Sequence, residues 1–292
     1  MKIFLSTITL CILSAASGLA QGNSPLQTTY LHQLRNDDAS TGSVSVDRWS
    51  VRAGLPLIIE EDNLLAIGFR YAMHRYDFNG TTAEWGAIHQ TSISLASRWQ
   101  VNDDWLWGNY ATAGISAEEG SDMDKGLNFN FISIAQYKVN DQLTIGPGVG
   151  FSSKIDQDLS VFPIIAIKWQ INDEWTLASG PSEMAVAGAN VYFEYTPKIL
   201  NEKWMFTTGF SYGSQNFKIE DNSTVTNGSG EERLGSAYLG ASYKMDSGVK
   251  LSAIAGYNFF QSYSIYDNGG NELSKEILED APFFGVSVGF EF

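Results

Sequence analysis

Cysteine is almost missing from this chain of 292 residues: the one example, Cys11, lies within the first twenty. Sites built on thiolates are thereby excluded. Histidine is nearly as scarce. His32, His74 and His89 are scattered without metal-ligand spacing, so neither a metal nor another cofactor is expected. Basic residues number 18 against 33 acidic, a formal charge of −15, which argues against a nucleic-acid partner. Also lacking is any apolar run of the roughly 20 residues that a spanning helix requires. A membrane role would therefore fall to strands, because backbone in hydrocarbon must satisfy its own hydrogen bonds.

What is present begins with a leader. Lys2, the apolar stretch from Ile3 to Leu13 and the small residues around Gly18-Leu19-Ala20 predict a cleaved secretory signal over residues 1–20. Leu10 stands before Cys11 where a lipoprotein box would have a small residue, so no lipid anchor is expected. The remainder, 21–292, shows no composition break and reads as one domain. Glycine (28) and aromatics (13%) are plentiful, as strands and interfacial aromatic belts demand.

The final stretch, Phe283 to Phe292, sets the theme. At period two, Phe284, Val286, Val288, Phe290 and Phe292 share one face, and Gly285, Ser287, Gly289 and Glu291 share the other. A strand between lipid and a wet lumen needs this alternation. An aromatic last residue also resembles the signal by which outer-membrane barrels are recognised for insertion.

One phrase recurs: Gln100-Val101-Asn102-Asp103-Asp104-Trp105, then Lys138-Val139-Asn140-Asp141-Gln142-Leu143, then Gln170-Ile171-Asn172-Asp173-Glu174-Trp175. Looser copies begin at Leu200 and Met245. Asn and Asp bond their own chain and tolerate left-handed backbone, so each phrase predicts a tight hairpin turn. The intervals of 38 and 32 residues hold two strands and a longer loop, not the four strands of a propeller blade.

Strands are predicted at 27–34, 43–55, 63–76, 87–101, 105–118, 127–139, 143–155, 160–171, 175–180, 188–196, 204–216, 233–245, 249–263 and 281–292. Fourteen is even, as a closed antiparallel barrel with both ends on one side requires; the short 175–180 segment leaves twelve as the alternative. The fold class is thus all-β, a single closed transmembrane barrel. Trp99, Trp105, Trp107, Trp169, Trp175 and Trp204 adjoin short turns and predict a periplasmic girdle. Pro147 and Pro163 fall inside strands, where a bulge at each is the expected accommodation.

Alternation turns Arg48, Arg52, Arg70, His74 and Arg98 inward on three consecutive strands. Counted from the turns, Arg48 matches Arg70 in depth and Arg52 matches Arg98. Such a column either forms an anion-favouring constriction or pairs with acids on neighbouring strands or a plug. Ile132, Ile134, Phe162 and Ile164 also fall on the lumen face, beneath an inward-folded loop or around an apolar pocket. The acidic long loops, which include Glu118, Glu231 and Glu232, read as solvated, with divalent-cation binding at the outer leaflet the alternative. No nucleophile–base pair stands out, so no enzyme is expected.

The phrases Ile145-Gly146-Pro147-Gly148-Val149-Gly150, Asp156-Gln157-Asp158-Leu159-Ser160-Val161-Phe162-Pro163-Ile164 and Trp169-Gln170-Ile171-Asn172-Asp173-Glu174-Trp175 go beyond a generic strand pattern. With Glu231-Glu232-Arg233 and Asp280-Ala281-Pro282-Phe283, they resemble a family of bacterial outer-membrane β-barrels known only as a domain of unknown function. The resemblance implies location in the cell outer membrane and architecture; it brings no activity and no site. The partners expected are outer-membrane lipid, lipopolysaccharide and the barrel-assembly machinery, the last through the strand ending at Phe292. A channel for small solutes is the leading expectation. Transport of small hydrophobic compounds, or a structural or adhesive barrel without transport, are the alternatives.

Overall fold

Three short turns are each built by one asparagine. Asn102 Oδ1 accepts the backbone N–H groups of Asp104 and Trp105, both at 3.0 Å. Asn140 does the same for Gln142 and Leu143, and Asn172 for Glu174 and Trp175, at 2.9 to 3.0 Å. The side chain supplies an acceptor that the turning backbone cannot, which is why the phrase repeats. None of these three asparagines is left-handed. Among the copies of the phrase, that conformation occurs in the looser ones, at Asn201 (φ 54°), Glu202 (57°) and Gly248 (81°).

The computed structural model describes residues 25–35, 42–60, 63–81, 84–156, 159–180, 188–221 and 225–290. The leader expected over 1–20 and the terminal Phe292 lie outside them. The strands are β1 Leu26–Gln33, β2 Ser43–Ile59, β3 Asn63–Asn79, β4 Ala87–Gln100, β5 Trp105–Glu118, β6 Leu127–Lys138, β7 Leu143–Ser152 and β8 Ser160–Gln170. They continue with β9 Trp175–Ser179, β10 Ala189–Tyr195, β11 Trp204–Lys218, β12 Ser229–Lys244, β13 Val249–Tyr266, β14 Glu272–Ile277 and β15 Ala281–Phe290.

Each strand from β1 to β13 pairs antiparallel with the next, and β15 lies between β13 and β1. That closes a barrel of fourteen strands; β14 pairs only with β13, within the last outer loop. The predicted number holds, and the twelve-strand alternative falls away because the short β9 pairs on both sides.

The outer face is apolar. Ile93, Leu95, Leu251, Phe284, Val286 and Phe290 are all exposed, while Ser252, Gly285, Ser287 and Gly289 between them are buried or inward. Among the described residues no helix is long and apolar enough to cross a membrane. The strands supply the span instead. All six girdle tryptophans are exposed at strand ends beside short turns. Tyr137, Tyr195 and Tyr243 extend the belt, packing on Trp105, Trp175 and Trp204 at ring distances of 5.1, 4.6 and 4.9 Å.

The prolines depart from expectation. Pro147 faces Ile165 and Pro163 faces Val149 in an unbroken β7–β8 register, so neither carries a bulge. On the β6 side the ladder lapses between Ile134↔Gly148 and Tyr137↔Ile145 without a shift. On the β9 side, the described pairs of β8 begin only at Lys168. Each missing donor is thus accommodated beside a stretch with no described ladder pairing. At the lapse, β6 and β7 approach so closely that a Cβ on Gly146 would lie 1.9 Å from the Ala135 carbonyl oxygen. Outside it, Trp105, Tyr137, Ile145, Pro147 and Ile165 line a lipid-facing groove of about 400 Å³.

The bulges fall elsewhere. One is at Leu57, between Pro56↔Ala66 and Ile58↔Leu65. Another is at Phe260 in β13, whose φ of 55° is left-handed, and a third register shift lies between β13 and β14 in the outer loop, at Ile265/Tyr266. Up to Asn258 the even-numbered residues of β13 face inward; beyond the bulge Gln261, Tyr263 and Ile265 do. One extra residue therefore reverses the phase of the strand.

Candidate functional site

The inward-facing residues make two different halves of the lumen. On β1–β4 and β11–β15 it is filled. At its outer end an apolar cluster joins Val44 and Val46 of β2, Tyr76 of β3, Trp85, Ile88 of β4, Phe217 of β11, Ile219, Val225, Leu278, and Tyr263 and Ile265 of β13. Nearer the middle, Leu31, Tyr238, Ile254 and Phe283 form a second cluster.

Across this filled half runs a charged strut. Arg48 on β2 donates to both oxygens of Glu232 on β12, at 2.9 and 2.7 Å. Tyr76 and Tyr263 donate to the same carboxylate at 2.9 and 3.1 Å. Glu232 is 1% exposed and receives four hydrogen bonds, so its desolvation is fully answered. Arg48 also lies 3.2 Å from His74 Nδ1. A guanidinium can only donate, so Nδ1 accepts and His74 is held in its Nε2–H form. Below the strut, Gln33, Gln261 and Asn258 form a buried chain with bonds of 2.8 and 2.7 Å.

Further bonds pinch the outer end. Gln90 on β4 reaches Gln215 on β11 across the lumen at 2.9 Å, and Lys218 at the end of β11 pairs in parallel with Ala117 of β5. Glu118 accepts from Gly86 N at 2.5 Å and Glu220 N at 2.8 Å, joining two loops to β5. The loop after β7 is tied to β11 and β12 by Lys154–Glu231 and Lys218–Asp156, at 2.7 and 3.0 Å.

The predicted site residues sort accordingly. Arg48 and His74 belong to the packed half, where Arg48 pairs with an acid from across the lumen, on neither a neighbouring strand nor a plug. The depth match is corrected by the register: Arg48 faces His74, and Arg52 faces Arg70. Arg98 lies nearer the periplasm, opposite Leu64 on one side and Gly108 on the other. Arg70 donates to Gln90 at 3.1 Å. Glu118, Glu231 and Glu232 are not solvated loop residues: Glu118 is the buried last residue of β5, whose predicted bounds hold, and β12 starts at Ser229, four residues earlier than predicted, which buries Glu231 and Glu232.

The four apolar residues are brought together. Ile132, Gly150 and Phe162 are successive cross-strand partners on β6, β7 and β8, and Ile134, Gly148 and Ile164 form the next row down. Phe162 folds over Gly150, its ring 2.3 Å from where a Cβ would stand. Sequence reading missed Glu232, Tyr76 and Tyr263. Tyr76 shares the parity of Arg70 and His74, a signal that was available; Tyr263 was hidden by the bulge.

A closed antiparallel barrel, apolar outside and polar or packed inside, with an aromatic belt at its short-turn end, is a transmembrane β-barrel of the outer-membrane type. The chain belongs to the family described as Domain of unknown function (DUF6268), whose model matches residues 27–291. No curated protein matches it. Among solved structures, the COG4313 outer membrane channel from Pseudomonas putida F1 aligns at TM-score 0.50 and 9% identity, over 91% of this chain and 94% of that one. The KdgM porin aligns at TM-score 0.36 and 10% identity, over 91% and 99%. At such identities the likeness is one of fold.

Proposed function

We propose that this protein is an outer-membrane channel for small solutes, with the route on the β5–β10 side of the lumen. The observation that carries this reading is the unequal filling. Opposite the packed half, many inward positions of β5 to β7 are short, set between the larger Tyr110, Ile132 and Ile134: Gly108, Thr112 and Gly114, then Asn128 and Asn130, then Gly148 and Gly150. Side chains of that size leave room near the axis. About eight strands are filled by side chains and about sixteen leave a water channel, so at fourteen the packing decides. Lipopolysaccharide around the outer rim, and recognition of β15 by the assembly machinery, belong to the same reading.

The refolded barrel is expected to give stepwise conductance in planar bilayers, with anions preferred. Changing Arg70 and Arg98 together to Ser should bring the anion-to-cation permeability ratio to near unity, because charged walls set selectivity. Absence of any conductance would retire the channel. A second reading, passage of hydrophobic compounds, is favoured by the exposure of Phe162, 40% although it points inward.

A further inference from the structure

The outer wall turns polar on β4 to β6. Ser97, Asn109 and Ser133 stand in one cross-strand row and share the outward parity of Leu95, Trp107 and Phe131. The row lies two residues past Trp99 and Trp107; rise and tilt put it roughly 5 Å inside the belt, in hydrocarbon. At the same step past Trp169, Trp175 and Trp204 the wall carries Ile167, Leu177 and Phe206. Trp107 Nε1 donates to Ser133 Oγ at 2.8 Å, Ser133 to Asn109 Oδ1 at 2.9 Å and Asn109 Nδ2 to Ser97 Oγ at 3.4 Å. An amide has two N–H donors and two lone pairs, and these bonds use one of each. Capacity left over at a lipid-facing amide is costly, because hydrocarbon offers it no partner.

Toward the outer leaflet the same three strands have relief. Large side chains flank small ones: Leu95, Ala111 and Phe131 in one row, Ile93, Ala113 and Phe129 in the next. All four large residues are exposed. β5 is thus a furrow, and β6 the ridge beside it. Counted from the turns at Asn102 and Asn140, Ala113 and Phe131 lie at similar depth. A face on which ridge and furrow adjoin is complementary to itself about a two-fold axis between them, and small residues let two walls approach closely. Lipid tails could fill the furrow, but they give Asn109 nothing to bond.

We infer that the β4–β6 face joins two copies of this chain in the membrane, about a two-fold axis along the membrane normal between β5 and β6. The Phe131 ridge of each copy enters the Ala111–Ala113 furrow of the other. The spare N–H of Asn109 in each copy donates to the remaining lone pair of Ser133 in the other. Four strands at ~4.8 Å by an apolar band of ~25 Å give roughly 500 Å² per copy, about the 1,000 Å² total that a specific interface needs. The contact leaves the lumen untouched, so it stands or falls apart from conduction.

The test is disulfide trapping in native membranes. The one cysteine, Cys11, lies in the expected leader, so Ala111→Cys introduces a single thiol beside the axis. Oxidation should then give a band of twice the mass. Ala253→Cys, on the apolar outer face of β13, should stay monomeric. Light scattering of the detergent-solubilised protein is the second readout. Ala113→Phe, which fills the furrow, and Asn109→Leu should each weaken the dimer by roughly tenfold or more. Heat-modifiable migration on a gel establishes that each variant is folded. Failure of Ala111→Cys to cross-link, or equal cross-linking of Ala253→Cys, would overturn the interface and leave the furrow to lipid. A trimer by light scattering would overturn the two-fold, and a dimer indifferent to both substitutions would place the contact on another face. A monomer that conducts overturns the interface while the channel stands; a dimer that never conducts keeps the interface and overturns the channel.

Discussion

Glu232→Ala is expected to destabilise the barrel by about 3–5 kcal/mol, the cost of leaving one partner of a buried ion pair uncompensated. Arg48 would remain in the packed half with its bidentate acceptor gone, and the hydroxyls of Tyr76 and Tyr263 would lose theirs as well. Removing both charges is a different matter. The double change Arg48→Met with Glu232→Leu fills the same space with apolar groups, and most of the loss should be recovered. Urea unfolding in lipid vesicles, followed by tryptophan fluorescence, gives the two numbers. A Glu232→Ala midpoint equal to that of the unchanged protein would mean that the strut bears no strain across the lumen.

Deleting Phe260 should cost about as much or more. The residue exists in the wall only as a bulge: it is 73% exposed, left-handed, and the phase of β13 reverses around it. Without it Gln261, Tyr263 and Ile265 turn toward lipid, and Ser262 and Ser264 enter the interior. Tyr263 and Ile265 would each forfeit roughly 1.5–3 kcal/mol of burial, and Glu232 one of its donors. Trp85, buried against Tyr263 at a ring distance of 5.9 Å, should become open to acrylamide quenching. Phe260→Gly makes the opposite prediction. It keeps the residue count and relieves the left-handed strain, so stability should hold or rise by up to about 1 kcal/mol. Equal damage from both changes would show that the phenyl ring, not the extra residue, matters.

These two positions also mark where sequence reading stops. The turns were legible because one asparagine in each makes the whole turn, and a local cause leaves a local sign. The lipid face was legible because its period is fixed by the pleat, from Leu65 to Met73 and from Phe284 to Phe290. The end of β12 was not. Glu231 and Glu232 look like loop residues by charge, and their burial becomes tolerable only with Arg48 and Lys154 brought from elsewhere, the neighbouring Arg233, and hydroxyls of Tyr76, Tyr263 and Tyr266. The phase of β13 beyond Asn258 was not legible either, since a single inserted residue changes no composition. The row formed by Ile132, Gly150 and Phe162 lay in between: each inward position could be read, but their adjacency depends on the register of three strands.

The order of pairing carries a last consequence, for assembly. Every ladder of the wall joins strands close in the chain, save the one where β15 meets β1. Gln27 and Ser287, bonded across that seam at 3.2 Å, stand 260 residues apart. Closing an unstructured loop of that size in one step would cost about 5 kcal/mol by the logarithmic rule, which pairing neighbours first breaks into short closures. Hairpin after hairpin can zip up beforehand, yet both rims of the growing sheet keep raw hydrogen-bonding edges until β15 docks. β15 is thus the clasp of a bracelet, and a chain halted before Ala281 would be left seeking its missing edge in a neighbour.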